Sequence, residues 1–155
     1  MPQTRKPSLA IRRKLKASAE KVFDAWTRPE ALNRWFGPSN DMEIVIATTD
    51  LRVGGRYRIV GEMPGGEQHR VGGVYRDIVP GRKLVFTWAW ESTPERESLV
   101  TVEIRPTAGG CDLTLTHEQF FDEAARDRHQ HGWSGSLERL ERYLAAAAAS
   151  GASSS

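Results

Sequence analysis

The side chains of this sequence that could carry chemistry are its histidines, tyrosines, arginines and one cysteine, and their spacing decides which could act together. The histidines are His69, His117, His129 and His131, and the cysteine is Cys111. A single cysteine closes no internal disulfide, and histidines without neighbouring thiols make no zinc site. His129 and His131 stand two apart, which on a helix turns them to different faces and makes a poor ligand pair. No activated nucleophile, and no base with an orienting partner, stands at a diagnostic spacing. The sequence therefore leans away from an enzyme and names no catalytic residue, metal or cofactor. Arg13 and His117 differ from the rest, because strand alternation places both on an inner face. An inward arginine must meet a carboxylate, reach a rim, or hold the anionic end of a ligand. His117 is either a satisfied core imidazole or a polar contact in a pocket, where Tyr57 or Tyr75 could join it in proton transfer.

The elements that position these groups follow from periodicity. Residues 8 to 16 alternate Leu9, Ile11, Arg13 and Leu15 against Ala10, Arg12, Lys14 and Lys16, as a half-buried strand does. Ser18 then stands where a helix cap belongs, ahead of Val22, Phe23 and Trp26. Thr27-Arg28-Pro29-Glu30 restarts the helix with Thr27 as its expected cap, and Leu32, Trp35 and Phe36 form a second stripe ended by Gly37-Pro38. From Asp41 to about Phe120 the period is two, broken at intervals by turn chemistry such as Val53-Gly54-Gly55 and Val79-Pro80-Gly81.

Parity assigns the strand faces. Leu84, Phe86, Trp88 and Trp90 point one way; Val100, Val102 and Ile104, then Leu113, Leu115 and His117, do the same on later strands. Tyr57, Ile59 and Tyr75 are the inward residues earlier on, the parity of Tyr75 holding unless a bulge near Asp77 and Ile78 changes it. Asp122 caps a last helix whose stripe is Trp133, Leu137, Leu140 and Leu144, opposite Glu138, Arg139, Glu141 and Arg142. The expected organisation is one domain over residues 8–146, with residues 1–7 and 147–155 as flexible tails.

Composition narrows the function classes. Net charge is +2, too balanced for a nucleic-acid partner. The run Arg5, Lys6, Arg12, Arg13, Lys14 and Lys16 is read as protection of an edge strand against edge-to-edge pairing. There is no apolar run of signal-peptide or membrane-spanning type, and with one cysteine a reducing, cytoplasmic location is expected.

Several local patterns in order carry a resemblance: Ala31-Leu32 through Trp35-Phe36-Gly37-Pro38, Val53-Gly54-Gly55-Arg56-Tyr57, Leu84-Val85-Phe86-Thr87-Trp88, Leu113-Thr114-Leu115-Thr116-His117, and Gly132-Trp133. Over roughly residues 8 to 146 the chain resembles the START-like, or SRPBCC, superfamily, in the bacterial branch similar to the C-terminal domain of the activator of heat-shock-protein-90 ATPase. The resemblance implies an α+β helix-grip fold: a curved antiparallel sheet of about seven strands around a long C-terminal helix, with two short helices after the first strand. It also implies a cavity between sheet and helix that takes a small apolar or amphipathic molecule.

Two other functions stay open, a co-chaperone-like module that binds a protein partner or a second copy, and a cyclase- or hydrolase-like enzyme using the same cavity. The expected ligand-binding residues are Arg13, Trp35, Tyr57, Tyr75, Phe86, Trp88, His117, Trp133 and Leu137. An alternative for the same aromatics is a packed core. An empty apolar hole of about 300 Å³ would cost roughly 7 kcal/mol, so the space must be filled by ligand, water or its own side chains.

Overall fold

The computed structural model describes residues 6–37 and 41–154, with side chains to residue 146. The elements run β1 (Leu9–Leu15), α1 (Ala19–Thr27), α2 (Pro29–Trp35), β2 (Glu43–Thr49), β3 (Arg56–Glu62), β4 (Gln68–Val79), β5 (Lys83–Trp90), β6 (Ser98–Thr107), β7 (Gly110–Glu118) and α3 (Glu123–Ser154). The strands form one antiparallel sheet in the order β1-β7-β6-β5-β4-β3-β2. This is the α+β helix-grip fold that the sequence implies.

The strand parity holds. Leu84, Phe86 and Trp88 of β5, Val100, Val102 and Ile104 of β6, and Leu113, Leu115 and His117 of β7 are all buried in the core. β1 is an edge strand, as its charge pattern anticipates, with Arg12 and Lys14 exposed and Leu9, Ile11 and Leu15 buried. Ser18 caps α1, its hydroxyl accepting from the Lys21 amide. Asp122 does the same for α3, its carboxylate accepting from the Ala125 amide at 2.8 Å.

One local expectation needs correction. Thr27 does not cap α2: it ends α1, where its hydroxyl donates to the Phe23 carbonyl at 3.0 Å, and Arg28 takes the cap position without a side-chain bond. The backbone of α3 runs from Glu123 to Ser154.

The sheet bends where β3, β4 and β5 cross. The β4–β5 register shifts between Tyr75 and Asp77, and Tyr75 keeps its inward side. Nearby, the Thr87 hydroxyl accepts from the Val74 amide at 2.8 Å, and the Thr87 carbonyl accepts from the Tyr57 hydroxyl at 2.6 Å. A side chain and a strand carbonyl thus take over hydrogen bonds that a flat ladder would make, which explains why Thr87 is buried despite its outward parity. The close approach requires glycine at position 73, since a methyl group there would overlap the Thr87 carbonyl. Gly73→Ala should lower stability by about 1–3 kcal/mol, the usual range for overpacking. Gly65→Ala, which adds a methyl group in open space, should stay within about 0.5 kcal/mol. Equal urea midpoints for the two variants would contradict the crossing geometry.

Candidate functional site

Between the inner face of β3–β5 and the first half of α3 runs a groove of about 470 Å³. Ile59 and Gly61 of β3, Val71 of β4, and Trp88 and Trp90 of β5 form one wall. His129, Trp133 and Ser136 of α3 form the other, with Phe36 and Met42 closing one side. Its volume falls within the range of small-molecule sites, about 300–1,000 Å³, and its lining is mainly apolar, as theirs is. A larger hollow of about 870 Å³ beside α1 carries Lys16, Lys21, Asp24, Arg28 and Glu30, charges of both signs on a solvated surface, and lacks such a wall.

The groove wall is organised by three indoles and two imidazoles. Trp133 Nε1 donates to His117 Nδ1 at 3.0 Å. Trp88 Nε1 and Trp90 Nε1 both donate to His129 Nε2, at 3.2 and 2.9 Å. An indole N–H can only donate, so each of these imidazole nitrogens is an acceptor and carries no proton. The other nitrogen of each ring must hold it. His117 Nε2 therefore donates to the Ser98 hydroxyl at 2.7 Å, which donates in turn to the Trp88 carbonyl at 3.2 Å. His129 Nδ1 donates to the Ala125 carbonyl at 2.7 Å. The two histidines are neutral and are opposite tautomers.

This polarity bears on chemistry. Ser98 and His117 lie at the separation of a nucleophile and its base, yet the proton runs from imidazole to hydroxyl, the reverse of activation. Both residues are buried. Tyr57 is likewise occupied, donating to Thr87. Among the described residues no group of three His, Cys, Asp or Glu could hold a metal ion, and no helix is long and apolar enough to cross a membrane.

The expected site residues part company here. Trp88 and Trp133 line the groove. Tyr57, Tyr75 and Phe86 line a separate inner cleft of only about 20 Å³, where they pack against one another at ring distances of 5.3–6.4 Å. Trp35, His117 and Leu137 are sealed in the core. Trp35 donates to the Ala25 carbonyl at 2.8 Å. Arg13 finds its carboxylate in Glu141 of α3, at 3.7 Å, away from the groove. Arg139, expected on the outer face of α3, reaches back instead and donates to the Phe36 carbonyl at 2.9 Å, tying α3 to the end of α2.

His129 and Trp90 are among the groove residues that are not in the expected set of site residues. The signal was present. His129 lies four residues before Trp133 and so extends the inner stripe of α3, and Trp90 shares the parity of Trp88.

The family model for activator of Hsp90 ATPase homolog 1-like protein matches residues 16–145. Solved structures of similar chains cover the whole domain. A protein from Chromobacterium violaceum is 27% identical with a TM-score of 0.80, over 89% of this chain and 97% of that one. The AHSA1 protein of Silicibacter pomeroyi is 28% identical with a TM-score of 0.79, over 90% and 98%. An uncharacterised protein from Rhizobium leguminosarum is 30% identical with a TM-score of 0.74, over 89% and 93%. No curated protein matches the sequence.

The neutral histidines make stability depend on pH. Burial, and then the neighbouring His129, push His117 down to about 2. His129 is also lowered, chiefly by burial and further by the charge of Arg128, against the opposing bond to Ala125. A histidine whose folded pKa lies below its unfolded value of about 6.5 gives its full stabilisation above that value and loses it as pH falls towards the folded pKa. Between pH 7.5 and 5.5 His117 alone should therefore remove about 1.4 kcal/mol of unfolding free energy, with His129 adding to the loss. Urea titrations at the two pH values measure this. Equal stabilities, or His117 ring resonances that titrate near pH 6.5, would overturn the neutral assignment.

Proposed function

The chain belongs to the activator of Hsp90 ATPase homolog 1-like protein family, and from that premise we propose that it binds a small apolar or amphipathic molecule in the groove between β3–β5 and α3. One observation carries this reading: beside a densely packed core, the fold keeps about 470 Å³ open along a wall of Trp88, Trp90, Trp133, Ile59 and Val71. Apolar surface of that extent gains roughly 25 cal/mol per Å² when an occupant covers it. The indole N–H groups of the wall are already bonded to histidine, so an apolar body can lie on them without stranding a donor. The engagement of His117, Ser98 and Tyr57 in internal bonds favours binding over turnover.

The test uses N-phenyl-1-naphthylamine, an uncharged aromatic probe. It should bind with saturable 1:1 stoichiometry and quench the fluorescence of the wall tryptophans. Ser136→Leu, which fills the buried end of the groove, should weaken it about tenfold, a change of about 1.4 kcal/mol. Native mass spectrometry of wild-type protein should find a small molecule retained by the fold. Probe binding that Ser136→Leu leaves unchanged would remove the groove as the site.

A further inference from the structure

With its indoles committed to histidines, the groove wall leaves polar recognition to the few groups at its ends. The titratable side chains that line it are His69, Arg128, His129 and His131, and no Asp or Glu stands among them in the described residues. His129 is held neutral by its own bonds. Arg128 is exposed at the mouth and enters no ion pair among the described residues. Its field nonetheless reaches into the groove, where it disfavours a proton on His129.

At the other end stands Ser136, only 4% exposed, whose hydroxyl makes no hydrogen bond among the described residues. Along α3 the two positions are separated by about 12 Å of helical rise. A cation without a counter-charge, an apolar floor and a hydroxyl bordering the groove thus follow one another along it. An occupant with a negative end matches this order; a cationic one would meet Arg128 and find no carboxylate in the lining.

Resting on the groove reading above, we propose that the natural occupant is an elongated amphipathic anion, its negatively charged headgroup at Arg128, its apolar body along Trp88, Trp90 and Trp133, and its far end within reach of the Ser136 hydroxyl. Arg128 supplies a charge-assisted contact at a partly solvated mouth, where such pairs contribute modestly. The apolar body supplies most of the affinity, and the headgroup sets orientation and selectivity.

Two probes that share one ring system separate the contributions: 8-anilinonaphthalene-1-sulfonate, which is anionic, and uncharged N-phenyl-1-naphthylamine. Wild-type protein should bind the sulfonate about fivefold more tightly, equivalent to about 1 kcal/mol. Arg128→Gln should abolish that preference while leaving the neutral probe within about twofold, and added salt should erode only sulfonate binding. Arg76→Gln, an exposed arginine on β4 outside the groove, should change neither. Equal affinities for the two probes, unmoved by Arg128→Gln, would overturn the anion assignment and leave the groove standing. Failure of both probes to bind, or binding insensitive to Ser136→Leu, would overturn the groove reading and this inference with it.

Discussion

Three tryptophan N–H groups, those of Trp88, Trp90 and Trp133, find their acceptors in two histidines. A buried donor left unpaired costs roughly 1–3 kcal/mol, a large share of the stability of a single domain. The requirement is directional as well as energetic. Trp133 and His129 are four residues apart on α3, while their partners lie on β7 and β5. Only one rotation and one axial position of the helix satisfy all three indoles together. The register of α3 on the sheet is thereby fixed by hydrogen bonds, where apolar packing alone would tolerate sliding.

The groove follows from that registration. The first half of α3 is held against β5 and β7 at its tryptophan and histidine contacts, and the second half is tied by Arg139 to the end of α2 and by Glu141 to Arg13 of β1. Between these attachments and the outer strands β3 and β4, the helix does not fill the concavity. The bend at Gly73 and Thr87 turns those strands so that Ile59 and Val71 face the helix across the open space. Stability and accessibility are thus divided along one helix face: Leu137, Leu140 and Leu144 close the core, while His129, Trp133 and Ser136 border the groove.

Because the histidines accept from indoles, their protons are already assigned, and this limits what the interior can do. His117 beside Ser98 has the separation of a catalytic pair but the opposite proton polarity. The same bonds that align the helix therefore quiet the most reactive-looking groups of the sequence and leave an apolar wall. Solved structures at 27–30% identity share the architecture over nearly their full length, so the fold tolerates wide change in side chains while keeping its helix-on-sheet arrangement.

The sequence alone determined the strands and their inner faces, since a period of two admits one assignment per strand: Phe86 with Trp88, Val100 with Val102, Leu115 with His117. It also determined the capping of α1 by Ser18 and of α3 by Asp122, which are local hydrogen bonds. Tertiary structure decided everything that depends on contacts between distant elements. Arg13 could have met a carboxylate, a rim or a ligand, and Glu141, far along the chain, settled it. His129, dismissed as half of a poor metal pair, became the acceptor for Trp88 and Trp90, because only the packed helix brings it within 3.2 Å of both. The expected aromatic lining divided for the same reason. Parity says that a side chain points inward, but whether it meets another side chain or open space depends on how far the helix stands off the sheet, and no local pattern encodes that distance.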